Sequence, residues 1–273
     1  MDLSSQEQAV VALVASGQLD EAADRLARLL PYAKDAAHHR LLTRLGAIRL
    51  RLGQLRTAVE VLQQATAQSD DGYAYLQLGN ALRYLGNVAG ATPALATALT
   101  RARSSGDGAL AIAALCAQGE LALDQALSRE AVERFGQALG LTELATDLRL
   151  SVAPLAGLAQ AHLGWKNPRK GAGLARKALE RAQLVNDRVG ESRALLSLGL
   201  ATGDLSVLTT ARQVAAQAPH RPLEVKILRA RLELAWDDAL WREALAAAER
   251  FKMEAEHRAL LALEPLSRTG VIA

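Results

Sequence analysis

The sequence predicts an all-α protein, a right-handed α-solenoid of about six to seven antiparallel helical hairpins. Three observations predict it. Gly46, Gly53, Ala58, Leu62 and Ala65 return as Gly79, Gly86, Ala91, Leu95 and Ala98, every pair 33 residues apart. Half of the 273 residues are apolar, chiefly Ala and Leu, while the β-branched and aromatic residues that strands prefer are few. Glycine with Asp or Asn punctuates the chain at the intervals that short helices require.

The repeated unit reads as two helices. Gly46 or Gly79 sits on the first helix, where the missing side chain admits a close neighbour. Gly53 or Gly86 takes the left-handed conformation that ends that helix. Ala58, Leu62 and Ala65, like Ala91, Leu95 and Ala98, then form an apolar stripe on the second helix. A single hairpin cannot hide such a stripe, so the units must stack. A third copy fits Gly119, Ala126, Ala131, Phe135 and Ala138, offset by 40 from the second. The spacing places a fourth at Gly157 and Gly164, with Pro168, Gly171, Ala175 and Ala178 following a two-residue insertion. Leu198-Gly199 opens a fifth, and Gly17 to Ala22 with Leu26 reads as the second helix of a leading copy.

In chain order, helices are expected near 5–16, 19–30, 35–52, 55–68, 72–85, 88–103, 108–126, 129–140, 147–163, 168–184, 188–201, 205–217, 222–235 and 238–262. The closest repeats are 35–68, 72–103, 108–140 and 147–184, with degenerate ends at 5–30 and 188–263, and the whole span 1–273 is expected to form a single helical-repeat domain. Pro168 and Pro222 suit first-turn positions. Pro93 and Pro154 either sit in first turns or kink their helices mildly.

This spacing resembles the tetratricopeptide (TPR) repeat. The aromatic preferred four residues before the first glycine survives only as Tyr75; Leu42, Leu115, Ala153 and Leu195 replace it elsewhere. Units near 40 residues with degenerate aromatics are similar to the helical-repeat sensor domains of bacterial transcription regulators. The resemblance implies that first helices line a concave groove whose free faces choose the partner. Co-chaperone members grip a terminal carboxylate with a Lys/Asn set on these helices. Arg40, Arg44 and Asn80 are a partial echo of that set.

Chemistry is sparse. The histidines at 38, 39, 162, 220 and 257 are never spaced i, i+4, and neither a phosphate loop nor a GxSxG elbow occurs. The expectation is therefore no enzyme, with no cofactor and no metal site. Cys116, the lone cysteine, reads as a small buried hydrophobe. Asp237-Asp238 suits a helix start. No apolar run approaches a membrane span, and Met1 to Val14 lacks a positively charged leader, so the cytoplasm is the default. Residues 5–16 and 19–30 already belong to the repeats, leaving no separate helix-turn-helix head.

The candidate groove residues are Arg40, Arg44 and Arg51, then Tyr73, Gln77, Asn80, Arg83 and Tyr84. The next equivalents are Ala113, Ala117, Glu120 and Asp124, then Ser151, Leu155, Leu158 and His162, a run from basic through polar-aromatic and acidic to apolar. Five arginines and no acid occupy 36–59. They form either an anion site, since arginine forks suit carboxylates, or a solvated face paired with acids such as Asp35 and Glu60. Lys166, Arg169, Lys170, Arg176 and Lys177, beside Trp165, form a second basic patch. It either meets phosphates or is a loop-and-helix surface with Trp165 folded onto its own hairpin. Trp236 and Trp241 suit core packing or a partner site, and Phe251, Leu260, Leu261 and Leu263 either cap the end or dock a subunit. The leading expectation is a scaffold or adaptor that binds a protein or peptide, with an acidic segment, in the groove. The second is the partner- or ligand-sensing part of a transcriptional regulator. Nucleic-acid binding along the basic stretches is the third, set against a net charge of only +3 and nine scattered aromatics.

Overall fold

The computed structural model describes residues 3–143 and 147–268. Fifteen α-helices follow one another among them: α1 (Leu3–Ala15), α2 (Leu19–Leu29), α3 (Asp35–Arg51), α4 (Leu55–Gln68), α5 (Gly72–Tyr84), α6 (Val88–Ser105), α7 (Gly108–Asp124), α8 (Ser128–Thr142), α9 (Val152–Gly164), α10 (Pro168–Leu184), α11 (Arg188–Thr202), α12 (Leu205–Gln217), α13 (Arg221–Leu234), α14 (Asp238–Arg250) and α15 (Glu254–Arg268). Short 3-10 turns precede α3 and α9. Paired in order, α1 to α14 make the stacked hairpins of an α-solenoid, as the repeat spacing predicts.

The close approach inside each hairpin has a visible cause. A Cβ on Gly46 would overlap Leu62, one on Gly79 would overlap Leu95, and one on Gly119 would strike the ring of Phe135. Leu62, Leu95 and Phe135 are themselves fully buried, so the glycines set the distance between paired helices. The turns close with left-handed residues: Gly53 (φ 75°) and Gly86 (φ 77°) as expected, and Ala126 (φ 59°) in the third copy.

The fourth copy corrects the expected register. Its left-handed residue is Lys166 (φ 54°), while Gly164 ends α9 within the helix. Counting back seven residues, as from Gly53 to Gly46, lands on Ala159, whose carbonyl lies against Gly171. Gly157 instead faces Phe135 of the preceding hairpin. The equivalent small residues are thus Gly79, Gly119, Ala159 and Gly199, evenly spaced by 40, and there is no insertion.

A second correction falls at the C-terminal end. The single helix expected over 238–262 is broken between α14 and α15, where Lys252 adopts φ 57°. Trp236 and Trp241 pack with ring centroids 5.9 Å apart, and Trp241 Nε1 donates to the Leu260 carbonyl at 2.9 Å. Phe251 fills the space above Gly53, and Leu260 is buried, whereas Leu261 is exposed. Pro168 and Pro222 occupy first turns, Pro154 is the third residue of α9, and Pro93 lies within α6. Asp237 caps α14 by accepting from the Leu240 amide at 2.8 Å. Cys116 is buried, which pushes its thiol up and away from reactivity.

Curvature follows from which helices touch. The first helices α3, α5, α7, α9, α11, α13 and α15 each pack on the next of that series, and no two second helices make comparable contact among the described residues. First helices therefore line the inside of the coil. One turn brings its end back to its beginning. Pro219, Phe251 and Ala255 lie over the turns at Gly17, Gly53 and Gly86, and an apolar cluster joins Leu50, Leu55 and Tyr84 to Leu228, Met253 and Leu260.

Candidate functional site

With the register corrected, the inner faces align. The positions that hold Arg40, Arg44, Ala47 and Arg51 on α3 hold Tyr73, Gln77, Asn80 and Tyr84 on α5. On α7 they are Ala113, Ala117, Glu120 and Asp124; on α9, Ala153, Gly157, Gln160 and Gly164; on α11, Arg193 and Ser197 lead the set. Gln160 Nε2 donates to Ser197 Oγ at 3.1 Å, joining two of these faces. The expected groove residues Ser151, Leu155, Leu158 and His162 are instead buried in the stack. The glycine marker at 157 had set their register two residues early.

The inner surface has an open part and a closed part. Toward the beginnings of α3 and α5 lies a pocket of about 510 Å³ lined by His39, Arg40, Thr43, Arg44, Ala47, Asp71, Tyr73 and Gln77. Four of the eight candidate groove residues meet here. Arg40 Nη2 donates to Glu7 Oε1 of α1 at 2.8 Å and its Nε to Oε2 at 3.2 Å; Arg44 Nη1 also donates to Oε2. The Glu7 side chain is only 12% exposed, whereas those of Arg40 and Arg44 remain 49% and 40% exposed. The Arg40 hydrogen bond is the main reason Glu7 titrates below the usual carboxylate range, and the same bond raises Arg40. These arginines do pair with an acid, but with Glu7 and not with Asp35 or Glu60. Tyr73 is exposed and Gln77 half-buried. Partial burial, then Asp107, raises the Tyr73 phenol.

Toward the helix ends the coil is shut by ion pairs. Arg83, expected on the groove face, has a buried side chain (1% exposed) that donates from Nη1 to Asp124 at 2.7 Å and from Nη2 to Glu120. Arg193 of α11 reaches the other Glu120 oxygen at 2.6 Å, and Lys226 of α13 reaches Asp124 at 2.8 Å. Arg229 continues the chain of charges to Glu256 of α15 at 2.9 Å. Burial opposes the Arg83 charge, but Glu120 and Asp124 outweigh it and hold the guanidinium above its ordinary value. Desolvation likewise opposes the Asp124 charge, and Lys226 with Arg83 overcomes it, lowering the carboxyl to about 2. Tyr84 is buried among them, with the Arg83 guanidinium 4.3 Å from its ring centre and Lys226 Nζ at 5.7 Å. His220 approaches its ring edge-on at 6.0 Å. A cavity of only about 50 Å³ remains beside Glu120, Gln160 and Arg193. Arg51 is half-buried, and burial lowers it.

The second basic patch is displayed outward. Lys166, Arg169, Lys170, Arg176 and Lys177 are all exposed, and none stands within 4 Å of a carboxylate among the described residues. Trp165 stacks on His162 of its own hairpin, centroids 6.0 Å apart and planes inclined by 13°, yet stays 53% exposed.

Sequence reasoning missed Glu7, Arg193 and Lys226. For Arg193 and Lys226 no local pattern was available, because their partners lie 73 and 102 residues away. For Glu7 the only signal is an acid on the helix that stacks before the arginine-rich one.

No protein-family model and no curated protein matches this sequence. Solved structures do. A Rap protein complexed with competence and sporulation factor aligns with a TM-score of 0.75 at 10% identity, over 98% of this chain and 93% of that one. The Rap conjugation gene regulator of the plasmid pLS20, in complex with a Phr peptide, gives 0.69 at 15% identity over 92% and 72%. A signal-transduction ATPase with a tetratricopeptide repeat sensor from Pyrococcus horikoshii gives 0.57 at 15% identity, over 97% of this chain and 42% of that one. At these identities the likeness is one of fold: the chain is a TPR-like helical-repeat solenoid along nearly its whole length.

Proposed function

We propose that this protein is a non-enzymatic scaffold that receives a carboxylate-bearing peptide or partner segment in the open pocket between α3 and α5. One observation carries the reading: Arg40 and Arg44 already hold a carboxylate, that of Glu7, at the rim of a 510 Å³ pocket and remain accessible while doing so. Two guanidinium groups so placed suit a planar, doubly accepting anion. Tyr73 and Gln77 add donors and an aromatic surface one hairpin along. The wider groove face, Asn80, Arg83, Tyr84 and Arg51, acts behind this pocket as support, because Arg83 and Tyr84 are packed under the ion pairs. In this reading the span 1–273 works as a single domain. No helix is long and apolar enough to cross a membrane among the described residues, in keeping with a cytoplasmic partner.

A second reading makes the chain the sensing part of a transcriptional regulator. It is favoured by the fold likeness to Rap proteins, two of them solved with competence and sporulation factor or a Phr peptide bound. A ligand in the pocket would then act through the ion pairs that tie α5 and α7 to α11 and α13. Binding of fluorescein-labelled acidic peptides tests the main reading. Wild type should bind peptides with free carboxylates, and Arg40→Glu with Arg44→Glu should abolish that while helicity is retained at the assay temperature, the loss of both Glu7 partners lowering the melting point. Capture that survives the double variant would refute the assignment. The sensing reading further requires that a bound peptide change the radius of gyration; a constant value would rule it out.

A further inference from the structure

The turn before α10 and the outward face of that helix form a basic surface. Its five cations lie within twelve residues that contain no acid. The chain as a whole, with 32 Lys and Arg against 29 Asp and Glu, carries only +3, so this run is far more basic than the average. Elsewhere Arg40, Arg44, Arg83, Arg193 and Arg229 all meet carboxylates, whereas here none does among the described residues.

The geometry is regular. α10 packs inward through Gly171, Ala172, Ala175, Ala178 and Ala182. Gly173 points the opposite way, with open space where a Cβ would be. At about 100° per residue, Arg169 and Arg176 flank Gly173 on one side and Lys170 and Lys177 on the other. The two pairs are about 10.5 Å apart along the axis, at 1.5 Å per residue. The result is a shallow saddle with a cation at each corner and a bare backbone at its centre. Lys166 and the exposed Trp165 stand at the N-terminal end of this saddle.

We propose that this saddle binds single-stranded nucleic acid through its phosphates, without sequence preference, with a base stacking on Trp165. The indole and the regular charge of the backbone favour that occupant over an acidic protein segment. A strand offers one charge at every nucleotide whatever its sequence, and a base for the ring to stack on, which an acidic peptide lacks. A stacking ring beside a cationic track is also how such strands are held. The site is separate from the peptide pocket, which lies on the inner face of other hairpins.

The test is fluorescence anisotropy of a fluorescein-labelled twenty-nucleotide thymidine strand with the full chain. Binding should weaken with salt, with a slope of log K against log salt of about −3, the value for four to five neutralised phosphates. Arg176→Gln with Lys177→Gln should reduce that slope by about 1.4. Reversing Arg169, Lys170, Arg176 and Lys177 to Glu should abolish binding, and Trp165→Ala should weaken it about tenfold. Arg40→Glu with Arg44→Glu should leave it unchanged. Should the fourfold variant fail to fold, the milder pair and Trp165→Ala still decide the matter. Absence of binding at 50 mM salt, binding indifferent to these variants, or equal displacement by polyglutamate would overturn the proposal; the last would make the saddle a site for acidic proteins.

Discussion

A side chain on Gly79 has nowhere to go, because Leu95 of the partner helix already occupies the space. Replacing Gly79 with Val should therefore cost about 2 kcal/mol through overpacking, read as a lower denaturant midpoint with an unchanged slope. His220 makes the other residue-scale case. Its ring caps α13, its Nδ1 accepting from the Leu223 amide at 3.3 Å, and Tyr84 lies against it. Burial, reinforced by Arg193 of α11 and Arg51 of α3 and opposed by Glu120 of α7, lowers it to about 3. A folded value below the unfolded one stabilises the neutral form. That contribution is full above about pH 6.5 and is lost as the pH falls toward 3. Between pH 7.5 and pH 5 the wild type should lose about 2 kcal/mol from this group. His220→Asn keeps the cap and should show a distinctly flatter melting profile; parallel profiles would refute the linkage. The glycines were legible in the sequence because their spacing repeats. The burial of His220 was not, since it depends on three helices remote in sequence.

At the scale of elements, the helices were legible where glycine or Asp and Asn punctuate them. They were misread where another residue performs glycine's task. Lys166 and Lys252 take left-handed turns, and Lys252 thereby splits what reads as one continuous C-terminal helix; Ala126, also left-handed, stands where the repeat places it. Gly157 and Gly164 misled in the opposite sense, since neither serves the turn. An L residue in that conformation is strained by about 1 kcal/mol relative to glycine. Ala126→Gly, at an exposed position, should raise stability by about that amount in urea unfolding. A loss of stability would mean that the turn is held by more than its backbone angle.

For the molecule as a whole, the ion pairs beneath Tyr84 tie the middle of the coil to its end. Lys226 of α13 meets Asp124 of α7 across 102 residues of chain. The candidate groove was half legible for this reason. Arg40, Arg44, Tyr73 and Gln77 share one pocket as their repeat positions imply. Arg83 and Tyr84, on the same helix face by sequence, are covered when the coil closes. Lys226→Met should cost about 2 kcal/mol, as for a lost hydrogen bond to a charged group. It should also speed hydrogen exchange in α13 to α15 more than in α3 to α6; uniform exchange would show that the tie does not hold the coil closed.

Whether the pocket between α3 and α5 takes a carboxylate-bearing peptide, as proposed, is addressed directly by one measurement. A set of acidic peptides and their amidated counterparts is titrated against wild type and against Arg40→Glu with Arg44→Glu, with melting recorded for both proteins. Peptides with free carboxylates should bind wild type, amidation should weaken them, and the double variant should bind none while still folded at the assay temperature, its melting point lowered because Glu7 loses both partners. Failure of every acidic peptide to bind wild type, or equal binding by the double variant, would contradict it.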